Sequence, residues 1–271
     1  MKKLLLLFCI LSLRLFSLEK QPWLGNWLEF EANLTQTHTE SHTVDTTHGI
    51  VHKKLYADRT AASLEFMPNE NLACEVELDL AKTQKKEYGF DAVKAACRYR
   101  LMNDLAGDPV SLTAGLTTSL STPSRVKDMS TLQHGVLDTT LQLAVGREFV
   151  IHAGDYYKAW ALAYSGLASS GSPWIGLEAH WGRVFSHETH AFDLFFRAEK
   201  GLSDHKLHKI SQFHSYSRLD YQYEELGLCY TYKERGFGSL YIEATTRLHA
   251  KYCPRHTWSA RVGLLIPFSP W

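Results

Sequence analysis

The stretch LACEVELDL, Leu72 to Leu80, alternates apolar and acidic residues almost without interruption. Successive side chains of a β-strand point to opposite sides, so this stretch predicts a strand with one apolar and one acidic face. Three carboxylates on one face repel one another, so we expect basic side chains on a neighbouring strand to compensate them. The acidic face consists of Glu75, Glu77 and Asp79.

The same alternation recurs along the rest of the chain, and it has a period of two residues rather than the 3.6 residues of a helix. It predicts an all-β protein of about twelve antiparallel strands. A parity slip at Glu224-Glu225 is interpreted as a bulge within one long strand. The predicted strands lie near 27–37, 55–66, 71–82, 88–101, 110–121, 134–150, 155–166, 174–186, 190–201, 213–233, 237–249 and 257–268.

The links between these strands fall into a short set and a longer set. The short set comprises PNEN (68–71), the stretch around Gly154, SHET (186–189) and ERG (234–236). The longer set comprises HTESHTVDTTHGIVHKK (38–54), TPSRVKDMSTLQ (122–133) and SDHKLHKISQF (203–213). Short turns at one end and long loops at the other are typical of an up-and-down barrel that spans an outer membrane.

Both ends of the chain agree with export to such a membrane. The stretch MKKLLLLFCILSLRLFSLEK has two lysines followed by an apolar run, which predicts a signal peptide over 1–17 and a barrel domain over 18–271. The final residue, Trp271, is aromatic. In these respects the chain resembles the porin-like outer-membrane β-barrel proteins of Gram-negative bacteria. The resemblance implies a transmembrane antiparallel up-and-down barrel in the cell outer membrane, with membrane lipid as its surroundings. It also implies that the barrel assembly machinery recognises Trp271.

A soluble antiparallel sandwich in the periplasm is the alternative fold, because it also places an apolar face along nearly every strand. In a sandwich, however, the polar face meets water, and its acids and bases would not need to match. The formal net charge of zero argues against nucleic acid as a partner. No cofactor motif is present, and no cofactor is expected.

A specific hairpin register answers the question of what lies opposite the acids. Centring the turn in TQKKEYG (83–89) pairs Cys74 with Cys97 and Glu77 with Lys94. It also places Glu75 diagonally between Lys94 and Arg98. Similar charged faces on other strands predict a polar lumen whose charges are roughly balanced. We expect this lumen charge network to contain Glu75, Glu77, Asp79, Lys94, Arg98, Arg100, Asp193, Arg197, Glu243 and Arg247, and the broader candidate set adds Glu29, Glu31, Glu178, Glu199, Arg218, Asp220 and Arg261.

A balanced polar lumen favours passive passage of small solutes through the barrel. The alternatives are a structural or surface-exposed barrel with adhesin-like loops and an outer-membrane hydrolase. The hydrolase candidates Ser186, His187, Glu188 and His190 lie in or beside a short turn, and no enzyme activity is expected.

Two further groups of residues have side chains of the types found in sites. Four histidines of the first long link, His38, His42, His48 and His52, are metal-ligand types without an ordered motif, so no metal site is expected. Cys74 and Cys97 face each other in the predicted register. We expect free thiols on the lipid side, with a disulfide as the alternative that export allows.

Overall fold

The computed structural model describes residues 20–152, 155–234 and 237–269. The predicted signal peptide, the residues at Gly154, two residues of the ERG link and the expected assembly signal at Trp271 lie outside the described residues. Within the described ranges, no helix is long and apolar enough to cross a membrane.

In the described part of the chain, twelve antiparallel strands form one closed barrel, as predicted. Each strand pairs with its neighbours in sequence, and the first strand pairs with the last. The strands are β1 Phe30–Thr46, β2 Gly49–Asn69, β3 Leu72–Thr83, β4 Gly89–Met102, β5 Ser111–Ser121, β6 Leu137–His152, β7 Asp155–Ala168, β8 Trp174–Phe185, β9 His190–Gly201, β10 Gln222–Glu234, β11 Gly238–Lys251 and β12 Pro254–Phe268.

Closure explains how this chain can present apolar side chains on its outer surface. A closed barrel satisfies its backbone hydrogen bonds between strands and leaves no free edge, so it is stable in the hydrocarbon core of a membrane. Large apolar side chains project outward along the wall, among them Leu116, Leu141 and Ile242. The outer surface is therefore suited to lipid, and the sandwich alternative is wrong.

Aromatic side chains mark the end of the barrel that carries the short turns, which we take as the periplasmic end. The ring of Phe30 stacks between those of Phe66 and Phe268, at centroid distances of 4.5 and 5.5 Å. On the other side of the barrel, Phe185 and Phe192 stack in the same way. Such girdles lie at the membrane interface in barrels of this class.

The first long link was predicted wrongly. The segment 38–54 belongs mostly to β1 and β2, which continue to a tight turn after Thr46, with Thr46 paired to Gly49. His38 pairs with Asp58 across this hairpin. The hairpin extends beyond the apolar band, where its outward face is polar, so the alternation that marks a membrane strand disappears from the sequence.

The segment 213–233 also differs from its prediction. β10 begins at Gln222, and the preceding residues form a loop with short helical turns at Ile210–Gln212 and Tyr216–Arg218. The predicted irregularity is present: the register between β10 and β11 shifts between Glu224 and Glu225. The pairing of β10 with β9 continues without a shift there, so the extra residue lies on the β11 side.

Strand β7 presents its aromatic face to the lumen. Trp160 and Leu162 are buried and pack against Trp23, while Tyr164 packs at the edge of the same cluster. The opposite face, which carries Ala159, Ala161 and Ala163, is turned outward. Alternation alone reveals the two faces of a strand and not which of them meets lipid.

Candidate functional site

The charged wall formed by β3 and β4 has the predicted register. Glu77 lies opposite Lys94, and Cys74 lies opposite Cys97. The Lys94 ammonium is 2.5 Å from a Glu77 carboxylate oxygen and 2.8 Å from an Asp79 carboxylate oxygen. Both carboxylates are buried, and Lys94 contacts the two of them directly, while the charge of Arg59 also acts on both.

Strand β2 contributes partners that the sequence reasoning missed. Arg98 forms an ion pair with Glu65, and Ser63 donates a hydrogen bond to Glu75. Arg59 lies 3.3 Å from Asp91, the second acid that the prediction omitted. The sequence contains a pattern that indicates this inner face of β2: Arg59, Ser63 and Glu65 alternate in step with the small residues Ala57 and Ala61.

A second charged wall runs across β8 to β11. The Arg197 guanidinium lies 3.0 Å from Glu178 and 3.7 Å from Glu225, which is also 2.6 Å from Arg247. The two arginines thus share one acid, and the chain Glu178–Arg197–Glu225–Arg247 continues around the barrel. Nearby pairs join Asp193 to His180 and Glu243 to Arg261, each at 3.4 Å.

Three residues expected in the lumen lie elsewhere. Arg100 is at the periplasmic rim, where it donates to the backbone carbonyl of Glu70 in the β2–β3 turn. Arg218 is exposed in the loop before β10, because that segment is not strand. Asp220 belongs to the same loop and pairs with Lys251 at 2.8 Å.

The segment before β1 enters the lumen from the periplasmic end. The backbone carbonyl of Gln21 accepts a hydrogen bond from Arg98, and that of Pro22 accepts one from Thr113. At its inner end, Lys20 lies 2.7 Å from the buried carboxylate of Glu178. Nothing in the composition of this segment distinguishes it from an exposed leader, so sequence reasoning missed it.

Trp23 fixes the outer part of this segment. Its indole N–H donates to Asp104 at 2.9 Å, and Asp104 also accepts from the Ser111 hydroxyl and the Glu148 backbone N–H. Burial alone would raise the pKa of Asp104, but these hydrogen bonds hold it below its usual value. The turn between β4 and β5 therefore anchors the segment inside the barrel.

The loop between β5 and β6 covers the lumen from the opposite, extracellular end. Arg125, in the short helix α1 (Pro123–Val126), donates to the backbone carbonyls of Ala81 at 2.7 Å and Glu87 at 2.9 Å. Further along the loop, the Thr131 carbonyl accepts a hydrogen bond from Arg59 at 2.5 Å. These bonds attach the loop to the β2–β4 wall.

An apolar core closes the extracellular end above this loop. Its members come from the β5–β6 loop, the β9–β10 loop and the strands around them. Tyr216 is typical: its ring is buried, and its hydroxyl donates to the Met129 carbonyl at 2.8 Å. The core contains Val44, Leu55, Met129, Trp174, Leu207, Phe213, Tyr216, Leu219, Tyr221, Tyr223, Ala250 and Cys253.

The lumen contains polar cavities in addition to the inserted segment and the extracellular core. A periplasmic cavity of about 760 Å³ is lined by residues such as Glu148, Lys158 and Arg261. A mid-barrel cavity of about 260 Å³ is lined by Lys94, Asp138 and Glu199, among others. Lys20 lines both, so its side chain lies at their boundary.

The predicted histidines do not form a metal site. His38 Nδ1 lies 2.6 Å from Asp58, and His42 Nε2 lies 3.5 Å from Glu40 on the polar hairpin. His48 lies near the ring of His208, in the turn. Within the described ranges, no three metal-ligating side chains are grouped to hold an ion.

The cysteine pair lies on the outer face of the wall, and the hydrolase candidates Ser186, His187 and Glu188 lie in an exposed turn. Cys74 and Cys97 are free thiols with sulfur atoms 2.9 Å apart on the outer face. Ser186, His187 and Glu188 occupy three consecutive left-handed positions of an exposed turn. Glu188 faces Lys233 there, at 3.7 Å.

Solved structures show that this fold is shared. The COG4313 outer membrane channel from Pseudomonas putida F1 superposes with a TM-score of 0.62 at 11% identity, covering 93% of this chain and all of that one. The NanC porin gives a TM-score of 0.53 at 10% identity, covering 87% and 98%. The translocator domain of the autotransporter NalP from Neisseria meningitidis gives 0.50 at 9% identity, covering 90% of each chain. No family model matches the chain, and no curated protein matches it in sequence.

Proposed function

We propose that this protein is a passive channel for small polar solutes in the outer membrane. The observation that carries the proposal is the contrast between the two faces of the closed wall. Outside, the wall is apolar; inside, it encloses cavities lined by acids and bases together. Polar interiors occur in open and in plugged barrels alike, and the cavities of about 260 and 760 Å³ add the space that a solute needs.

The charge pairs predict the ion preference of such a channel. Lys94, Arg197 and Arg261 each lie beside at least one lumen carboxylate, so neither sign of charge is left in large excess. A lumen of this kind discriminates weakly between cations and anions. We therefore expect a reversal potential close to zero in a salt gradient.

Two obstructions in the lumen, the extracellular apolar core and the Lys20 side chain, predict how conduction begins. The apolar core lies across the extracellular end, and Lys20 lies at the boundary between the two inner cavities. Solutes can cross only when these contacts open, so we expect brief, small current steps rather than a steady large conductance.

Planar-bilayer recording of purified, refolded protein tests the proposal. The expected result is discrete current steps with weak ion selectivity, and liposomes containing the protein should swell in small neutral solutes. A folded preparation that produces neither current nor swelling would refute the channel function. Folding is checked independently by the heat-modifiable migration of barrels on SDS gels.

The other candidate functions receive less support from the geometry. The surface-binding alternative rested on a long first loop, but the segment 38–54 is mostly paired strand that closes in a tight turn after Thr46. Ser186 and His187 are exposed on a turn. An activated nucleophile needs a base within hydrogen-bond distance and a third group that orients this base, and the described side chains of this turn show no such arrangement. We propose membrane lipid and the barrel assembly machinery as partners, the latter through Trp271.

A further inference from the structure

The mid-barrel cavity has one wall that carries almost no charge. This wall is the inner face of β5 and β6, whose residues face each other in consecutive rows. Ser119 lies opposite Asp138, Thr117 lies opposite Thr140, and Gly115 lies opposite Gln142. All but Gly115 line the same cavity. Hydroxyl and amide groups therefore cover this side of the chamber, with a single carboxylate among them.

The charged groups on the other sides of the chamber are already paired. Lys20 is bound to Glu178, and Lys94 to Glu77 and Asp79. Arg59 is close to Asp91.

The other acid of the chamber is paired as well. Glu199 accepts hydrogen bonds from Tyr221 at 2.6 Å and Tyr164 at 3.0 Å, and it lies 3.1 Å from His134. A charged solute would therefore have to compete with short contacts that already exist.

Asp138 is the exception. The residue is 8% exposed and lines the cavity, and no hydrogen bond or ion pair joins its carboxylate to the other described residues; His134 and Lys94 act on it only through longer-range electrostatic interactions. The neighbouring Ser119 hydroxyl is buried and also lacks a partner in the described part of the chain. The Asp138 carboxylate lines the cavity, so a solute or water in the cavity can supply the donors that it lacks, and the same holds for the partner that the Ser119 hydroxyl lacks.

We infer that the mid-barrel chamber binds a small, uncharged polyhydroxyl solute, such as a monosaccharide or another polyol. Solute hydroxyls donate to Asp138, and they both donate to and accept from Ser119, Thr117 and Thr140. The inference deepens the proposed channel function, on which it rests, because it names the class of solute that the channel takes.

The other charge states fit the chamber less well. An anion would meet the unpaired carboxylate of Asp138. A cation would be attracted to Asp138, but Lys20, Lys94 and Arg59 line the same space. The volume of about 260 Å³ far exceeds the roughly 30 Å³ that one water takes in the liquid, and it is close to the lower limit for ligand pockets.

Ligand-observed saturation-transfer NMR on the folded full-length protein in detergent tests this inference, with glucose as the probe. Gluconate and glucosamine, which are close to glucose in size, serve as the anionic and cationic comparison ligands. We expect a clear glucose signal from the wild-type protein and weaker signals from both charged ligands. Asp138→Ala should weaken glucose binding about tenfold, as expected for the loss of a hydrogen bond to a charged acceptor.

Two further variants keep the test decisive. Glu87→Gln changes an exposed carboxylate outside the chamber and should leave the glucose signal unchanged. Asp138→Asn preserves the shape of the side chain and one acceptor oxygen, so its glucose signal should be intermediate. It replaces Asp138→Ala in the test if that variant fails to fold. Equal glucose signals from the wild-type protein and a folded Asp138 variant would overturn the inference, and so would gluconate binding as well as glucose.

The failure of the inference can be distinguished from the failure of the channel function. If the glucose signal depends on Asp138 but the protein neither conducts nor swells liposomes, the chamber binds as inferred and the channel function is wrong. If the protein conducts but glucose gives no signal, the channel function stands and the inference is wrong.

Discussion

Reversal of the charge of Lys94 should destabilise the barrel far more than the same change at an exposed lysine. The Lys94 ammonium lies 2.5 Å from Glu77 and 2.8 Å from Asp79, and the side chains of these two acids are 3% and 0% exposed. Removing one partner from a buried ion pair costs about 3–5 kcal/mol, because the other charge remains buried without compensation. Only 22% of the Lys94 side chain is exposed, so solvent screening reduces this cost little.

The matched comparison is Lys94→Glu against Lys127→Glu, since both substitutions change the net charge by the same amount. Lys127 is exposed in the β5–β6 loop, where a substitution should change stability by no more than about 0.5 kcal/mol. The free energy of unfolding is measured by urea titration in phospholipid vesicles. Equal shifts for the two variants would refute the reasoning. A third variant, Lys94→Met, removes the charge without reversing it and should also lower the free energy of unfolding. Adding Glu77→Gln to it should restore part of that free energy, since the second substitution removes one of the two acids that lost their contact with Lys94.

Three other changes test separate parts of the structure. Lys20→Ala should raise single-channel conductance, because Lys20 lies at the boundary of the two cavities, whereas Lys53→Ala on the exposed hairpin should not; unchanged conductance in both would exclude Lys20 as a constriction. Asp104→Asn should destabilise the protein above about pH 4, the ordinary pKa of an aspartate, with the difference lost as the pH falls through the lowered pKa of Asp104; urea midpoints of both proteins across pH 3–7 check the direction, and a difference that grows on acidification would contradict it. Cys253 should resist maleimide at pH 7 in the folded protein, since burial raises the pKa of its thiol to about 11; rapid labelling, followed by mass spectrometry, would show that the extracellular core is open.

The β3–β4 hairpin could be predicted in detail from sequence because two independent constraints agree there. The apolar faces must lie on the same side, and the acids of β3 must face the bases of β4. These constraints exclude shifts by one residue, and centring the turn in TQKKEYG (83–89) then selects the observed register, with Glu77 opposite Lys94. The strand number followed from the same alternation, repeated along the chain, whereas closure was predicted from the link lengths, the matched charges and the resemblance to outer-membrane barrels.

The inner contents of the barrel could not be predicted in this way. The position of Lys20 beside Glu178 depends on a contact across 158 residues, and no local pattern encodes it. Strand β7 carries large side chains on its inner face, such as Trp160, because Trp23 of the inserted segment packs against them. An aromatic face that packs against an internal segment has the same sequence pattern as one that meets lipid.

The extracellular hairpin was missed for a related reason. Between His38 and Lys54, the outward face of the strands is mostly polar, since the hairpin rises beyond the apolar band, and the inner face combines Ser41 and Thr43 with Val44 of the extracellular core. Hydrophobic alternation marks a strand with one face in apolar surroundings and the other in polar surroundings, and this stretch of the hairpin has no such regular contrast.

Accessibility along β6 tests the central claim, a closed wall with lipid outside and a water-filled lumen inside. Single cysteines at Thr140, Leu141, Gln142 and Leu143 are introduced into a cysteine-free background and reconstituted in vesicles. Positions 140 and 142 line the mid-barrel cavity, whereas Leu141 and Leu143 project outward. We predict that a small water-soluble thiol reagent modifies only positions 140 and 142, and that a lipid-borne quencher reaches a fluorophore only at positions 141 and 143. Equal reactivity and equal quenching at all four positions would contradict the account.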